Sequence, residues 1–326
     1  MELATVQSGS VRQKTLKTAI NCAGVGLHSG ARTRMTLRPA PVGHGIEFIR
    51  TDMGHGDASR IPAQWNQVTD TRLCTVLGNQ SGARVGTVEH LLAAMFGCEI
   101  DNAIVEIDGP EVPAMDGSAA PFVFLIECAG TIEQAAPRRA IQVLRRIAVE
   151  DGNSSVSITP GVGFSINFEI DFAGTAVDRQ DCFVPFGAGV FKTEVARART
   201  FGFKQEVDRL RAAGFARGGS LENAVVVEGQ QVLNEGGLRF DDEFVRHKVL
   251  DCAGDLYLAG GPILGHVVAS KSGHDLNNRL LRTLFARRDA WRYVDMQPSH
   301  QAVPARASGA IVPLRRVPGR AAAVGD

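Results

Sequence analysis

Apolar and polar residues alternate along much of the first third of the chain, with the two-residue period of a half-buried strand. Residues 33–39 and GIEFIRT (45–51) show it clearly, and ARVGTV (83–88) and NAIVEID (102–108) are further strand candidates. Between the last two the period changes. EHLLAAMFG (89–97) has compact helical spacing stopped by Gly97, and AAPFVFLIECAG (119–130) reads as a second helix. Strand signals start again after Pro137–Arg139, in AIQVLRRIAVE (140–150), SSVSITP (154–160) and FSINFEIDF (164–172). AGVFKTEVARA (188–198) carries helical spacing and AVVVEG (224–229) reads as a short strand. DDEFVRHKVLDCAGDLYLAG (241–260) reads as a long helix, with acids in its first turn and glycines at its end. GHVVASKSG (265–273) is a strand and HDLNNRLLRTLFARR (274–288) a final amphipathic helix.

Both halves of this pattern finish alike, with helix, strand and helix. The expectation is a duplicated α+β unit, divided near 137–139 into domains 12–136 and 140–290. A chain of 326 residues suits two cores of this size. Residues 1–11 and the Ala-, Pro-, Gly- and Arg-rich tail 301–326 lack periodicity and read as solvated ends.

Composition narrows the function. Lys and Arg number 35 against 35 Asp and Glu, a balance that argues against a dedicated nucleic-acid binder but leaves room for a local cationic pocket. Hydrophobic residues make up 44% of the chain, which excludes bulk disorder. No run approaches the roughly 18–20 apolar residues of a membrane span, so no stable insertion is expected. The start of the chain, MELATVQSGSVRQK, has an early acid and no apolar stretch, so no secretory signal is read there. Cysteines 22, 74, 98, 128, 182 and 252 lack the spacing of a metal ribbon or redox pair. They read as reduced, buried, small hydrophobes, Cys128 in FVFLIECAG among them, and point to the cytoplasm.

Three fragments carry candidate chemistry. His247 and Asp251 stand four apart in the long helix, on one face with Cβ atoms about 6 Å apart, and Asp255 extends the stripe by a turn. That spacing can chelate a divalent cation, although helices also carry such pairs for solubility. Glu89 and His90 open a short helix after a strand; neighbours on a helix splay by roughly 100°, so His90 can hold a metal while Glu89 reaches a water. Alternatively Glu89 only favours the helix N-terminus. His274 begins the last helix after the Gly273 turn, which leaves its imidazole exposed, with Asp255 as a candidate partner. Together they supply two His and one Asp as ligands, a spare carboxylate and a spare imidazole. Three protein ligands with an open position are the composition of a catalytic zinc site, in which bound water is acidified toward pKa ~7, and hard N/O donors also suit iron(II).

The stretches VGLHSG (25–30), TVEHLLAAMFG, DGPEVPAMDGSA, ARTFGF, VRHKVLDCAGDLYL and KSGHDLNNRLL, in that order, closely resemble the zinc-dependent UDP-3-O-acyl-N-acetylglucosamine deacetylases of lipid A biosynthesis. The resemblance spans roughly residues 12–290. It implies that His90, His247 and Asp251 are the zinc ligands, that Glu89 is the general base toward the metal-bound water, and that His274, its ring held by Asp255, protonates the departing glucosamine nitrogen. Thr200 would donate its hydroxyl to the oxyanion, a contact worth about 3–4 kcal/mol. Lys248, Lys271, Phe172 and Phe203 resemble residues at the nucleotide and sugar end, the two lysines facing the diphosphate. The implied fold is two βααβ-type sandwich domains, helices packed between two sheets and the site at their junction. A βαβ insert at about 204–228, with Val207, Gly219, Ser220 and Val226, would form an apolar passage for the acyl chain, where burial contributes ~0.8 kcal/mol per CH₂.

The expected activity is hydrolysis of the N-acetyl group of UDP-3-O-acyl-N-acetylglucosamine by a zinc-dependent, cytoplasmic, monomeric enzyme. Catalysis by an ionised Glu89 and a cationic His274 implies a bell-shaped pH profile. Three other readings stand beside it. One is an inactive UDP-sugar-binding homologue, against which the intact acid, base and ligand set speaks. The second is a metal amidohydrolase acting on another acyl-sugar. The third is an interaction module, for which only the Arg/Pro-rich tail speaks.

Overall fold

The structure is a computed structural model that describes residues 11–54 and 56–297. The expectations for residues 1–10 and for the 301–326 tail lie outside the described residues. Val11 packs on the small apolar cluster of Ala140, Leu264 and Met296.

The chain is an α+β fold with the helices between sheets. One layer is a five-stranded sheet in the order Ile20–Val25, Arg32–Pro39, Ala103–Ile107, Ile46–Arg50, Arg60–Pro62. Its inward positions alternate with exposed ones, as in Arg32–Pro39, where Thr33, Met35 and Leu37 are buried. The opposite layer is a seven-stranded sheet built on Ile263–Ser270. Ser154–Pro160 pairs with one flank of that strand. Arg139–Val143 and Phe164–Phe172 also pair with that strand, both parallel to it. Ile147–Asp151, Trp291–Asp295 and Asp178–Phe186 complete the sheet.

Between the layers lie helices α1 (Glu89–Gly97), α2 (Ala120–Ala129), α4 (Glu243–Tyr257) and α5 (His274–Ala286); α3 (Lys204–Ala212) lies in a separate excursion. α1 packs on α2 and α4, while α4 packs on Phe164–Phe172, Asp178–Phe186 and α5. A helix sandwiched this way has little exposed face, and α4 is buried from Glu243 to Tyr257 apart from Arg246 and Lys248. α5 is amphipathic: Leu276, Leu280, Leu281 and Leu284 face the core. Phe201–Phe203 and Val225–Glu228 run parallel on either side of α3, a βαβ excursion that starts three residues before the expected 204. Among the described residues, no helix is long and apolar enough to cross a membrane.

Several elements differ from expectation. The segment 140–150 is two strands, broken at Leu144–Arg146, where all three residues are exposed. Val143 and Ile147 are an even number apart, so the alternation reads straight through the break. The 188–198 segment forms only a five-residue π-type turn, Phe191–Val195, behind Gly189 at φ +82°. Of 83–88 only Arg84–Val85 forms a strand. Asp178–Phe186 was not expected; its charges and Pro185 are tolerated because it is an edge strand, paired on one side with Phe164–Phe172. Arg12–Leu16 paired with Thr131–Pro137, and Trp291–Asp295, were likewise unexpected. All six cysteines are free, but Cys22 is only part-buried, and Cys128 is exposed because the apolar run that contains it is a helix with one outer face.

Candidate metal centre and catalytic cavity

Two helix backbones touch at the centre of the molecule. A Cβ added at Gly254 of α4 would lie 2.0 Å from the carbonyl oxygen of Glu89 in α1, so only glycine admits this crossing. The contact brings the start of α1 against the middle of α4. His90 meets the i, i+4 pair His247 and Asp251, and one donor atom from each lies within 4.8 Å of the others. Asp251 Oδ1 stands 3.2 Å from His247 Nε2 and 3.5 Å from His90 Nε2, yet it is buried with no hydrogen-bond partner. His247 Nδ1 donates to the Ala198 carbonyl at 3.1 Å, which turns Nε2 to the cluster. Asp251 Oδ2 accepts from Lys248 Nζ at 2.7 Å.

The protonation states suit a cation. Burial opposes ionisation of Asp251, but His247 and Lys248 outweigh it and hold the carboxyl well below its ordinary range. Burial pushes the His90 imidazole down, toward the neutral ligating form. Two imidazole nitrogens and a carboxylate whose buried Oδ1 has no hydrogen-bond partner fit a divalent metal, which would satisfy that oxygen.

Glu89 and His274 flank the cluster. Burial pushes the Glu89 carboxyl up to about 8, with the His274 charge opposing the shift. His274 Nδ1 pairs with Asp255 Oδ2 at 2.8 Å. Burial lowers the imidazole's affinity for a proton, but Asp255, Glu89 and Asp251 outweigh it and raise the pKa to about 9. The ring is not exposed as expected from the Gly273 turn; its side chain is 12% accessible because it folds back onto Asp255.

These groups open onto a cavity of about 750 Å³. Glu89, His90, His247, Lys248, Asp251, His274 and Thr200 line it, as do Phe172 and Phe203, whose ring centres are 5.4 Å apart. Val207, Gly219, Ser220 and Val226 line the part of its wall that the βαβ excursion forms. Lys271 stands off the wall and pairs with Asp171 at 2.8 Å. Thr200 is fixed by backbone bonds to Gly117 and Val225, and beside it Arg199 pairs with the fully buried Glu243 at 2.8 Å.

Sequence reasoning named no role for Thr75, Asn277, Glu111 or Glu243. Glu111 accepts the backbone N–H groups of His28 and Ser29 and the Thr87 hydroxyl, bracing the VGLHSG loop beside the cavity. It lies within DGPEVPAMDGSA, so an acid in a matched stretch was the available signal. Asn277 lies likewise within KSGHDLNNRLL, whereas Thr75 and Glu243 fall outside every matched stretch.

The family described as UDP-3-O-acyl N-acetylglycosamine deacetylase matches residues 13–286. A chain from Shewanella sp. (strain ANA-3), named UDP-3-O-acyl-N-acetylglucosamine deacetylase, is 49% identical over 287 residues, 87% of this chain and 93% of its own. Chains of the same name from Shewanella oneidensis and Shewanella baltica (strain OS155) are each 48% identical, over 292 and 287 residues; these spans cover 89% and 87% of this chain and 95% and 93% of theirs.

Proposed function

The chain belongs to the UDP-3-O-acyl N-acetylglycosamine deacetylase family, and on that footing we propose that it hydrolyses the N-acetyl amide of UDP-3-O-acyl-N-acetylglucosamine in lipid A biosynthesis, giving acetate and UDP-3-O-acyl-glucosamine. The observation that carries the residue-level reading is the buried His90–His247–Asp251 cluster with its unpartnered oxygen, flanked by Glu89 and the Asp255-paired His274.

An amide is a poor electrophile and its amine a poor leaving group. His90, His247 and Asp251 would hold a divalent metal, zinc in our reading with iron(II) the alternative, and that metal would supply Lewis acidity toward the carbonyl and acidify water toward pKa ~7. Glu89 takes the proton of the attacking water as its oxygen bonds to the acetyl carbon. Thr200 donates its hydroxyl to the oxygen that gains charge. His274 passes its proton to the nitrogen as the C–N bond breaks, since the amine leaves only once protonated. Asp255 keeps His274 cationic and oriented. Lys248 and Lys271 supply local positive charge for the diphosphate, with Phe172 and Phe203 at the sugar and nucleotide end. The acyl chain lies along the part of the wall formed by Val207, Gly219, Ser220 and Val226.

We further propose a cytoplasmic monomer of two units, 12–136 and 140–290, with the 204–228 insert forming the acyl passage. The free thiols fit a reducing compartment. Metal analysis of the purified protein beside His247→Ala tests the central reading. Metal and acetate release should fall together in the variant, and chelation should silence the parent. Full acetate release from a metal-free His247→Ala protein would overturn it.

A further inference from the structure

One residue joins the two proton-transfer groups. Thr75 is 2% exposed and sits in the loop before the Val76–Gly78 strand. Its backbone N–H donates to Glu89 Oε2 at 3.0 Å, and its hydroxyl donates to Asp255 Oδ1 at 2.5 Å. Its carbonyl accepts the Val88 N–H at 3.4 Å, tying the same residue to the entry of α1. The other oxygen of Asp255 receives His274 Nδ1 at 2.8 Å and Asn277 Nδ2 at 2.9 Å, and Ser272 Oγ meets Asn277 Oδ1 at 3.1 Å.

We propose that Thr75 is a positioning residue for the deacetylation: a brace that fixes the Asp255 carboxylate through its hydroxyl and the Glu89 carboxylate through its backbone, so that base and acid keep one mutual geometry. The proposal rests on the reading of Glu89 as base and His274 as acid. Water leaves its proton on one side of the scissile amide and the amine collects one on the other. Both transfers need their groups within hydrogen-bond reach of atoms only a few ångströms apart. A carboxylate bonded at Oδ2 alone can pivot about that edge and take the His274 ring with it. A donor on Oδ1 removes that freedom. The donor belongs to the residue that also holds Glu89, so displacement of one group is resisted by the other.

Thr75→Val removes the hydroxyl and keeps the shape and the N–H; Thr75→Ser keeps the hydroxyl. We expect kcat to fall on the order of 10²-fold in Thr75→Val, with KM changed less than about twofold, and Thr75→Ser to stay within about threefold of the parent. On an Asp255→Asn background the same Val substitution should cost less than about threefold, because the group it acts through is already lost. Should Thr75→Val not fold, Thr75→Ala removes the hydroxyl in a smaller side chain and is read in the same way. Equal losses on both backgrounds, or a Thr75→Ser variant as slow as Thr75→Val with an unchanged melting temperature, would overturn the brace. Glu89→Gln and Asp255→Asn serve as controls: if they retain parent activity, the acid–base reading itself fails. If they are impaired while Thr75→Val is not, only the brace fails.

Discussion

Replacing Asp255 by Asn removes one buried charge with almost no change of shape, and its main consequence falls on His274. In the parent protein burial pulls the imidazole's pKa down, while Asp255 at 2.8 Å, with Glu89 and Asp251 behind it, lifts it to about 9. Asp255 leads the raising contributions, so without it the ring should return to or below its ordinary value of 6.5. At ~1.4 kcal/mol per pKa unit, a fall of two to three units withdraws about 3–4 kcal/mol of support from the imidazolium. The acid acts in its protonated form, which exists below the folded pKa and is lost above it. The basic limb of kcat/KM should therefore move from about 9 to below ~7. At about pH 8 the protonated fraction drops from roughly nine-tenths to about three in a hundred, a ~30-fold loss that nearly vanishes at about pH 6. Lost orientation of the ring adds a factor that does not depend on pH and so does not move the limb. Glu89 sets the other side. It acts ionised, so activity is lost as pH falls through its pKa, which burial raises to about 8; a neighbouring dication would lower it, and would lower His274 in parent and variant alike, so the displacement between their basic limbs is the quantity to read. The assay is acetate release with saturating metal under chemistry-limited conditions, with the His274 ring titrated by NMR in parallel. A variant whose basic limb stays at about 9, or whose deficit is the same at every pH, would refute the argument.

Three further outcomes follow from particular contacts. Gly254→Ala places a Cβ 2.0 Å from the Glu89 carbonyl, so α1 must move from α4; urea unfolding should show a loss of at least ~1–3 kcal/mol, and metal content should fall as His90 leaves the cluster. Arg199→Met leaves Glu243, wholly buried, without its charge partner, and should destabilise by about 3–5 kcal/mol in thermal or urea unfolding. Val207→Trp fills the part of the cavity beside the βαβ excursion and should raise KM most for long-acyl substrates; equal loss on a short-acyl analogue would contradict the placement of the chain there.

Much of the fold was legible because its determinants are local. α1, α2, α4 and α5 lie within a residue or three of the ends that apolar spacing and terminal residues imply, and the strands with clean alternation formed. The missed elements lacked a local signal: Asp178–Phe186 is a charged edge strand, and the break at Leu144–Arg146 lies between apolar positions in phase. The site divides the same way. His247 and Asp251 are recognisable as a pair from their spacing on one helix, and Glu89 and His90 as a junction. That these fragments meet depends on a glycine, Gly254, whose role exists only where another helix crosses it. Even the resemblance to a known family, which named the ligand, base and acid residues at the cavity, was silent about Thr75. Its hydroxyl bond to Asp255 joins positions 180 residues apart. Periodicity and capping record interactions within a few turns of chain, so one-dimensional order can specify helices, strands and a chelating pair. The orphaned oxygen of Asp251, the raised pKa of His274 and the tie between base and acid arise from burial and from contacts between distant segments, and these come into being only when the two sheets close over the helices.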